Sequence, residues 1–203
     1  MTAATPLVAG MPLVPATGVD TQAEPYARYP GGQGRVTLDA EEAMETLRGG
    51  LWHTTSEERF EGIRSRKAIL SKPPLGEDER WGTLIGPEGW PYVRTLGGVS
   101  LFDFAGFDPE AYEERCPSSS WREFVPFQRY WGASVWIEID REKAADALVK
   151  ADELVARWNL EKAYRHRIMP YIEACYLGDV PSWLFVRALV VGTGDTEFRS
   201  IDV

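Results

Sequence analysis

One segment, residues 51–63, most constrains how this chain can fold, because a short apolar strand there is followed by a hydroxyl-rich turn and then a helix. The strand ends at His53, and Thr55 stands at the predicted N-cap. Glu58 follows Thr55 at the spacing of a capping box. Since the free N–H groups of a helix N-terminus bind polar or anionic ligands, His53 and the backbone of Thr54 are predicted to border a ligand site.

Several later stretches have the apolar alternation or the continuous apolar character of strands. They are residues 99–104, 134–139, 171–176 and 183–191, with a short return strand or turn at 68–70. Helices with acidic N-caps are predicted to start after Asp39, Asp108 and Asp140. Because strands, helices and loops follow one another without a regular repeat, the predicted fold class is α+β.

The length of 203 residues is sufficient for one domain with a substantial core. Residues 1–34 are rich in Ala, Pro, Gly and Thr without periodicity, so they are predicted to form a flexible or irregular arm before a single domain at 35–203. Residues 72–98 contain many glycines and prolines and no regular pattern. A loop of that length in a compact domain is typical of a functional loop or lid.

Charge and composition exclude several classes of function. The formal net charge of -9 disfavours a general nucleic-acid binder, which needs an accumulated positive field. Cys116 and Cys175 match no zinc spacing, and the chain has two histidines, so no metal site is expected. No apolar run reaches the roughly 20 residues of a membrane span, and the N-terminus lacks a signal peptide's basic region. A cytoplasmic protein without a membrane partner is expected.

Glu173 lies in the middle of an otherwise apolar predicted strand, on the face that alternation gives to Tyr171 and Cys175. Burying an unpaired carboxylate is costly, so Glu173 must face solvent, be paired or line a cleft. Strand alternation alone does not decide among these three environments. A lone histidine such as His53 is more often a structural residue than a ligand, and Ser100 is unremarkable in a strand. Together these three strand positions predict a cleft.

Three motifs in sequence order resemble those of the ADP-ribosyltransferase fold, over about residues 50–192. The first is LWHTT at 51–55, followed by a helix with an apolar face. The second is GGVSLF at 97–102, and the third is YIEACY at 171–176, followed by a turn and an apolar strand. They are similar to the histidine-bearing branch, which includes poly(ADP-ribose) polymerases, DarT-like toxins and RNA 2′-phosphotransferases.

This resemblance implies an α+β fold with a mixed, mostly antiparallel split sheet flanked by helices. It also implies NAD-dependent transfer of ADP-ribose to an unidentified protein or nucleic acid, or hydrolysis of NAD. A toxin with an antitoxin partner is compatible with it. Thr54 stands where the polymerase branch has glycine, which points away from that branch, and Ser100 or Phe102 replaces the tyrosine of many members.

The resemblance assigns residues to the binding of NAD. His53 would hydrogen-bond the adenine-side ribose, and the backbone of Thr54 would hold the nicotinamide amide. Thr55 would steady the turn between strand and helix. Phe102 or Tyr171 would stack on the nicotinamide ring.

The resemblance also implies a catalytic role for Glu173 together with His53. Glu173 would bind the 2′-OH of the nicotinamide ribose, and Ser100 would support Glu173 or the ribose. Cleavage of the bond to nicotinamide produces an oxocarbenium-like ribose, whose developing positive charge a fixed carboxylate stabilises.

Two other functions fit the sequence. A non-catalytic protein-interaction or immunity-type module would use the eight tryptophans and the acidic surface, since tryptophan is a frequent interface anchor. RNA 2′-phosphate transfer would use the same fold but requires a cluster of arginines that faces the cleft.

Overall fold

The computed structural model describes residues 38–80, 86–126 and 131–203, so the predicted arm at 1–34 lies outside the described residues. The described residues contain these α-helices: α1 (Ala40–Leu47), α2 (Glu57–Arg66), α3 (Tyr92–Thr95), α4 (Pro109–Arg115), α5 (Arg141–Ala144) and α6 (Ala151–Leu160). They contain these strands: β1 (Leu51–Ser56), β2 (Ala68–Ile69), β3 (Gly98–Asp103), β4 (Ala133–Ile139), β5 (Leu148–Val149), β6 (Glu173–Leu177), β7 (Val180–Pro181), β8 (Phe185–Gly192) and β9 (Arg199–Ile201).

Seven strands form one sheet in the order β5-β6-β3-β1-β4-β8-β9, and β2 pairs with β7 in a separate two-stranded sheet. Each pair of neighbouring strands is antiparallel. The α+β class and the mostly antiparallel sheet are therefore confirmed. The order also makes β6, β3 and β1 neighbours, although they are distant in sequence.

The sheet divides between β1 and β3. These strands pair only at Leu51 with Asp103 and at Trp52 with Phe102. Beyond that point β1 continues along β4 as far as Ser56, while β3 remains paired with β6. The two halves of the sheet are therefore joined at one end and open at the other.

Strand alternation sends side chains into two separate cores. Leu101 packs on one side of the sheet with Leu51 and Ile137, while Phe102 packs on the other side with Trp52. The predicted alternation along residues 99–104 is confirmed. Burial of each such side chain contributes about 1.5–3 kcal/mol, so the cores hold both halves of the divided sheet in place.

The predicted N-cap of α2 is wrong by one residue. Ser56, not Thr55, accepts the hydrogen bond from the backbone N–H of Arg59, at 3.3 Å. Pairing with β4 keeps Thr55 and Ser56 extended, so β1 passes into α2 without the predicted turn. By contrast, the predicted cap of α1 is confirmed, since Asp39 accepts from the Glu42 N–H at 2.8 Å.

The strand that carries the glutamate is shorter than predicted. It begins at Glu173, because Tyr171 has a left-handed backbone (φ 58°) that an extended strand does not allow. Leu148 begins β5, which pairs with β6. Apart from Gly98, which begins β3, the described part of residues 72–98 consists of α3, short 3-10 turns and loop.

Candidate functional site

A cavity of about 460 Å³ lies where β1 and β3 separate, and its volume is in the range of ligand pockets. Its inner end is lined by His53, Thr54, Ser100 and Glu173, together with Phe102. Its outer walls come from α2, β2, the loop after β2, and α3. The three predicted strand positions thus border one cavity.

Glu173 is almost fully buried, with 1% of its surface exposed. Its Oε1 accepts a hydrogen bond from the Ser100 hydroxyl at 2.5 Å, and its Oε2 accepts one from the Met169 backbone N–H at 3.1 Å. This geometry follows from the register of β3 and β6, which places Glu173 opposite Phe102 and diagonally across from Ser100. Among the described residues, no cation forms an ion pair with this carboxylate.

Burial raises the pKa of the Glu173 carboxyl to about 7, although the hydrogen bonds from Ser100 and Met169 oppose this change. Low-dielectric surroundings disfavour the charged form, and the hydrogen bonds to the carboxylate favour it. Near neutral pH, Glu173 therefore exists in both protonation states. Such a carboxyl is well suited to chemistry that needs a negative charge inside a cavity.

The imidazole of His53 spans the division of the sheet. Its Nδ1 lies 3.1 Å from the Ser100 carbonyl oxygen. A carbonyl can only accept, so Nδ1 carries the proton, and burial lowers the pKa of His53 below its ordinary value of 6.5. The neutral ring then has an acceptor lone pair on Nε2, which can accept from a hydroxyl group of a ligand.

The backbone of Thr54 faces the opening between the strands. The Gly50 carbonyl accepts from the Phe104 N–H at 3.0 Å, so every second residue of β1 directs its backbone groups toward β3. Thr54, two residues after Trp52, also directs its backbone groups toward β3, but β3 no longer pairs with β1 at that position. The Thr54 hydroxyl is also buried without a hydrogen-bond partner among the described residues. Thr54 therefore offers polar groups to a ligand.

The remaining predicted residues are not all at the cavity. Thr55 lines it, although it lies within β1 rather than in a turn. Phe102 also lines it, and its ring centroid is 5.1 Å from that of Trp136. Tyr171 does not line the cavity. It is 37% exposed and lies beside Arg115, because its left-handed backbone directs it away from the strand pattern.

Sequence patterns missed several residues of the cavity. They include Trp131, Met169, Arg59, Arg80 and Arg94, and Arg66 lines the cavity as well. Arg59 and Arg66 lie seven residues apart on α2, a spacing that could have placed them on one face of the helix. Arg80 and Arg94 come from irregular and short segments, where no periodicity indicates direction.

The described residues contain no group of three or more His, Cys, Asp or Glu side chains that could hold a metal ion. Cys116 and Cys175 are both buried and free. In the same part of the chain, no helix has the length and apolarity to cross a membrane.

Comparison with models of protein families, with curated proteins and with solved structures finds no match to this chain. The geometry and chemistry of the cavity are therefore the basis on which a function can be inferred.

Proposed function

We propose that the protein is an ADP-ribosyltransferase-like enzyme, which cleaves NAD+ at the nicotinamide ribose and transfers ADP-ribose to a macromolecular acceptor or to water. One observation carries the proposal. His53 and Glu173 line the same cavity and are connected through Ser100, whose carbonyl bonds to His53 and whose hydroxyl bonds to Glu173.

Glu173 supplies the electrostatic part of the reaction. As the bond between ribose C1′ and the nicotinamide nitrogen breaks, its electron pair leaves with nicotinamide and positive charge develops on the ribose. Each Glu173 oxygen accepts one protein hydrogen bond and retains acceptor capacity for the ribose 2′-OH. A fixed group of this kind typically contributes about 10²–10³ in rate. The acceptor then bonds to C1′ and loses its proton.

His53 and Thr54 supply binding groups that match the rest of the substrate. The neutral His53 ring can accept a hydrogen bond from a ribose hydroxyl through Nε2. The N–H and C=O of Thr54 match the acceptor and donor of a carboxamide such as that of nicotinamide. The buried ring of Phe102 provides an apolar wall beside them.

An ADP-ribosyltransferase-like fold is part of the proposal. The strands of the three motifs, β1, β3 and β6, are neighbours in the sheet, although about 120 residues separate the first motif from the third. The division between β1 and β3 opens at the position of the histidine and the serine. This arrangement supports a split sheet with its ligand in the split.

A specific observation favours RNA 2′-phosphate transfer as a second candidate, because four arginines line the cavity. NAD+ itself carries two phosphates, so the first candidate accounts for the same arginines. The interaction-module hypothesis has less support, since Trp52, Trp121 and Trp136 are at most 1% exposed and serve the core, although Trp183 is 62% exposed.

The direct test is incubation with NAD+ labelled in the nicotinamide ring, with release of free nicotinamide measured by chromatography. We expect release by the unchanged protein and its loss in Glu173→Gln and His53→Ala. Glu138→Gln is the matched control, because Glu138 lies in β4 and outside the cavity. Retained activity in both site variants would overturn the assigned roles, and consumption of an RNA 2′-phosphate would favour the second candidate.

A further inference from the structure

The outer part of the cavity concentrates positive charge in an acidic protein. Arg59, Arg66, Arg80 and Arg94 line it, although the chain as a whole has a formal charge of -9. The acidic residues among the described lining residues are Glu173, at the inner end, and Glu58. The outer cavity is therefore matched to an anionic part of a ligand.

Arg94 is held rigidly at the wall. Its guanidinium stacks over the Trp90 ring at 3.3 Å, and its side chain is only 15% exposed. Two of its nitrogens donate to Glu77 at 2.6 and 2.7 Å. Glu77 is 57% exposed and approaches from outside the cavity, since it is not one of the lining residues.

Arg80 lies close to the same carboxylate, with its nitrogen 3.9 Å from Glu77. Its side chain is 16% exposed, and it also donates to the Ser71 carbonyl at 3.1 Å. Burial and the neighbouring charge of Arg94 lower the pKa of Arg80 from its ordinary value. Two guanidinium groups thus repel each other at the cavity wall, and a further anion would relieve that repulsion.

Arg59, on α2, completes the group. It donates to the Glu79 carbonyl at 2.6 Å, which ties α2 to the segment that carries Glu77. Within the described residues, neither Arg59 nor Arg66 forms an ion pair with a carboxylate. A guanidinium has five N–H donors, so Arg59 retains donors for a ligand.

We propose that Arg59, Arg80 and Arg94 bind the diphosphate of a dinucleotide, and that Glu77 is a built-in counter-ion that the diphosphate replaces in part. This deepens the proposed function and rests on it, because NAD+ carries a diphosphate between its two nucleosides. The inner end of the cavity would hold the nicotinamide riboside, and the arginines would anchor the molecule through its charge. Bidentate contacts between arginine and phosphate oxygens provide the specificity.

Calorimetry with ADP and with adenosine, neither of which can react, tests this site. We expect ADP to bind more tightly than adenosine, with a difference that shrinks as salt is added. Arg59→Gln and Arg94→Gln should each weaken ADP binding by about tenfold to a hundredfold and leave adenosine binding nearly unchanged. Arg122→Gln is the matched control, because Arg122 pairs with Glu41 and Glu113 and does not line the cavity.

Glu77→Gln gives the opposite expectation. If Glu77 competes with the ligand for Arg94, its replacement should tighten ADP binding by about threefold at low salt, since the pair is partly exposed. If Glu77 only fastens the loop, the same change would weaken binding of ADP and adenosine alike, which would overturn the counter-ion role.

Equal affinity of the unchanged protein for ADP and adenosine would overturn the diphosphate site as a whole. Thermal unfolding of each variant identifies losses caused by misfolding. Arg59→Gln is expected to disturb the fold least, because Arg59 forms no ion pair with a carboxylate among the described residues. The two proposals can fail separately. Nicotinamide release without preference for ADP would refute only the diphosphate site, whereas preference for ADP without nicotinamide release would refute only the enzymatic reaction.

Discussion

Two glutamates occupy strands of the same sheet in different surroundings. Glu138 in β4 accepts a hydrogen bond from the Arg187 guanidinium at 2.5 Å, and its side chain is 21% exposed. Glu173 in β6 is 1% exposed and accepts only from a hydroxyl and a backbone N–H. A cation thus neutralises Glu138, whereas the charge of Glu173 remains available to a positive centre that enters the cavity.

This difference has a cost in stability. Placing a carboxylate in a buried site without a cation disfavours its charged form, which is why the pKa of Glu173 is raised. Proteins retain such an arrangement mainly where function requires it. The contrast between the two glutamates therefore separates a structural ion pair from a candidate catalytic group.

The largest expected effect is on the chemical step. Glu173→Gln should lower kcat for nicotinamide release by about 10²–10³ with little change in KM, because the carboxylate acts mainly on charge that develops in the transition state. Steady-state kinetics measure both constants. Glu138→Gln should keep both within about twofold, since a neutralised residue outside the cavity contributes nothing to that charge. Equal losses of kcat in Glu173→Gln and Glu138→Gln would show that Glu173 has no special role in the chemical step.

The next effect is on stability and its dependence on pH. The folded protein raises the pKa of Glu173 from 4.5 to about 7, so the folded state binds this proton more tightly than the unfolded chain does. The resulting stabilisation is complete below about pH 4.5 and is lost as the pH rises through about 7. Glutamine does not titrate, so Glu173→Gln should gain about 3 kcal/mol relative to the unchanged protein between acid and alkaline pH.

Urea unfolding of both proteins at about pH 5 and pH 9 measures that relative gain. The comparison across pH removes any constant effect of the amide on packing or hydrogen bonding. If the difference in unfolding free energy between Glu173→Gln and the unchanged protein does not change with pH, Glu173 does not titrate abnormally.

A smaller effect is expected from the hydroxyl that supports Glu173. Ser100→Ala removes a hydrogen bond that lowers the pKa of Glu173, so that pKa should rise further, by about one pH unit. The pH dependence of nicotinamide release should move upward accordingly, and the rate at pH 7 should fall by about fivefold to tenfold.

Ser134→Ala is the matched control, because Ser134 is also a buried strand serine and its hydroxyl has no partner among the described residues. Its pH profile should coincide with that of the unchanged protein. A shift of the same size in both serine variants would mean that Ser100 acts through packing alone.

The smallest effect concerns the ion pair of Glu138. Because Arg187 is 50% exposed, Glu138→Gln should destabilise the protein by no more than about 1 kcal/mol. Urea unfolding measures this loss, and a loss well above about 1 kcal/mol would contradict a weak, partly exposed ion pair.

Much of the inner site could be predicted from sequence, because strand alternation is a local rule. The two-residue period placed Ser100 and Phe102 on one face, and the apolar neighbours of Glu173 indicated a carboxylate with an unusual environment. What alternation cannot supply is the pairing between distant strands. The contact of Ser100 with Glu173 depends on the register of β3 and β6.

The errors also have physical causes. Thr55 and Ser56 are both good N-caps. Ser56 is the cap because pairing with β4 extends β1 to that residue, and local sequence patterns do not show pairing between distant strands. Tyr171 left the predicted strand because its backbone is left-handed. Arg80 and Arg94 were missed because they reach the cavity from a loop and a four-residue helix, where side-chain direction is set by tertiary contacts.

The proposed function requires that the negative charge of Glu173 drives cleavage of NAD+ in this cavity. The pH dependence of nicotinamide release by the unchanged protein tests it most directly, measured from about pH 5 to pH 9 with Glu173→Gln alongside. We expect a rate that rises through about pH 7, as Glu173 loses its proton, and a low, flat profile for the variant. No release at any pH, or a rise that persists unchanged in Glu173→Gln, would contradict it.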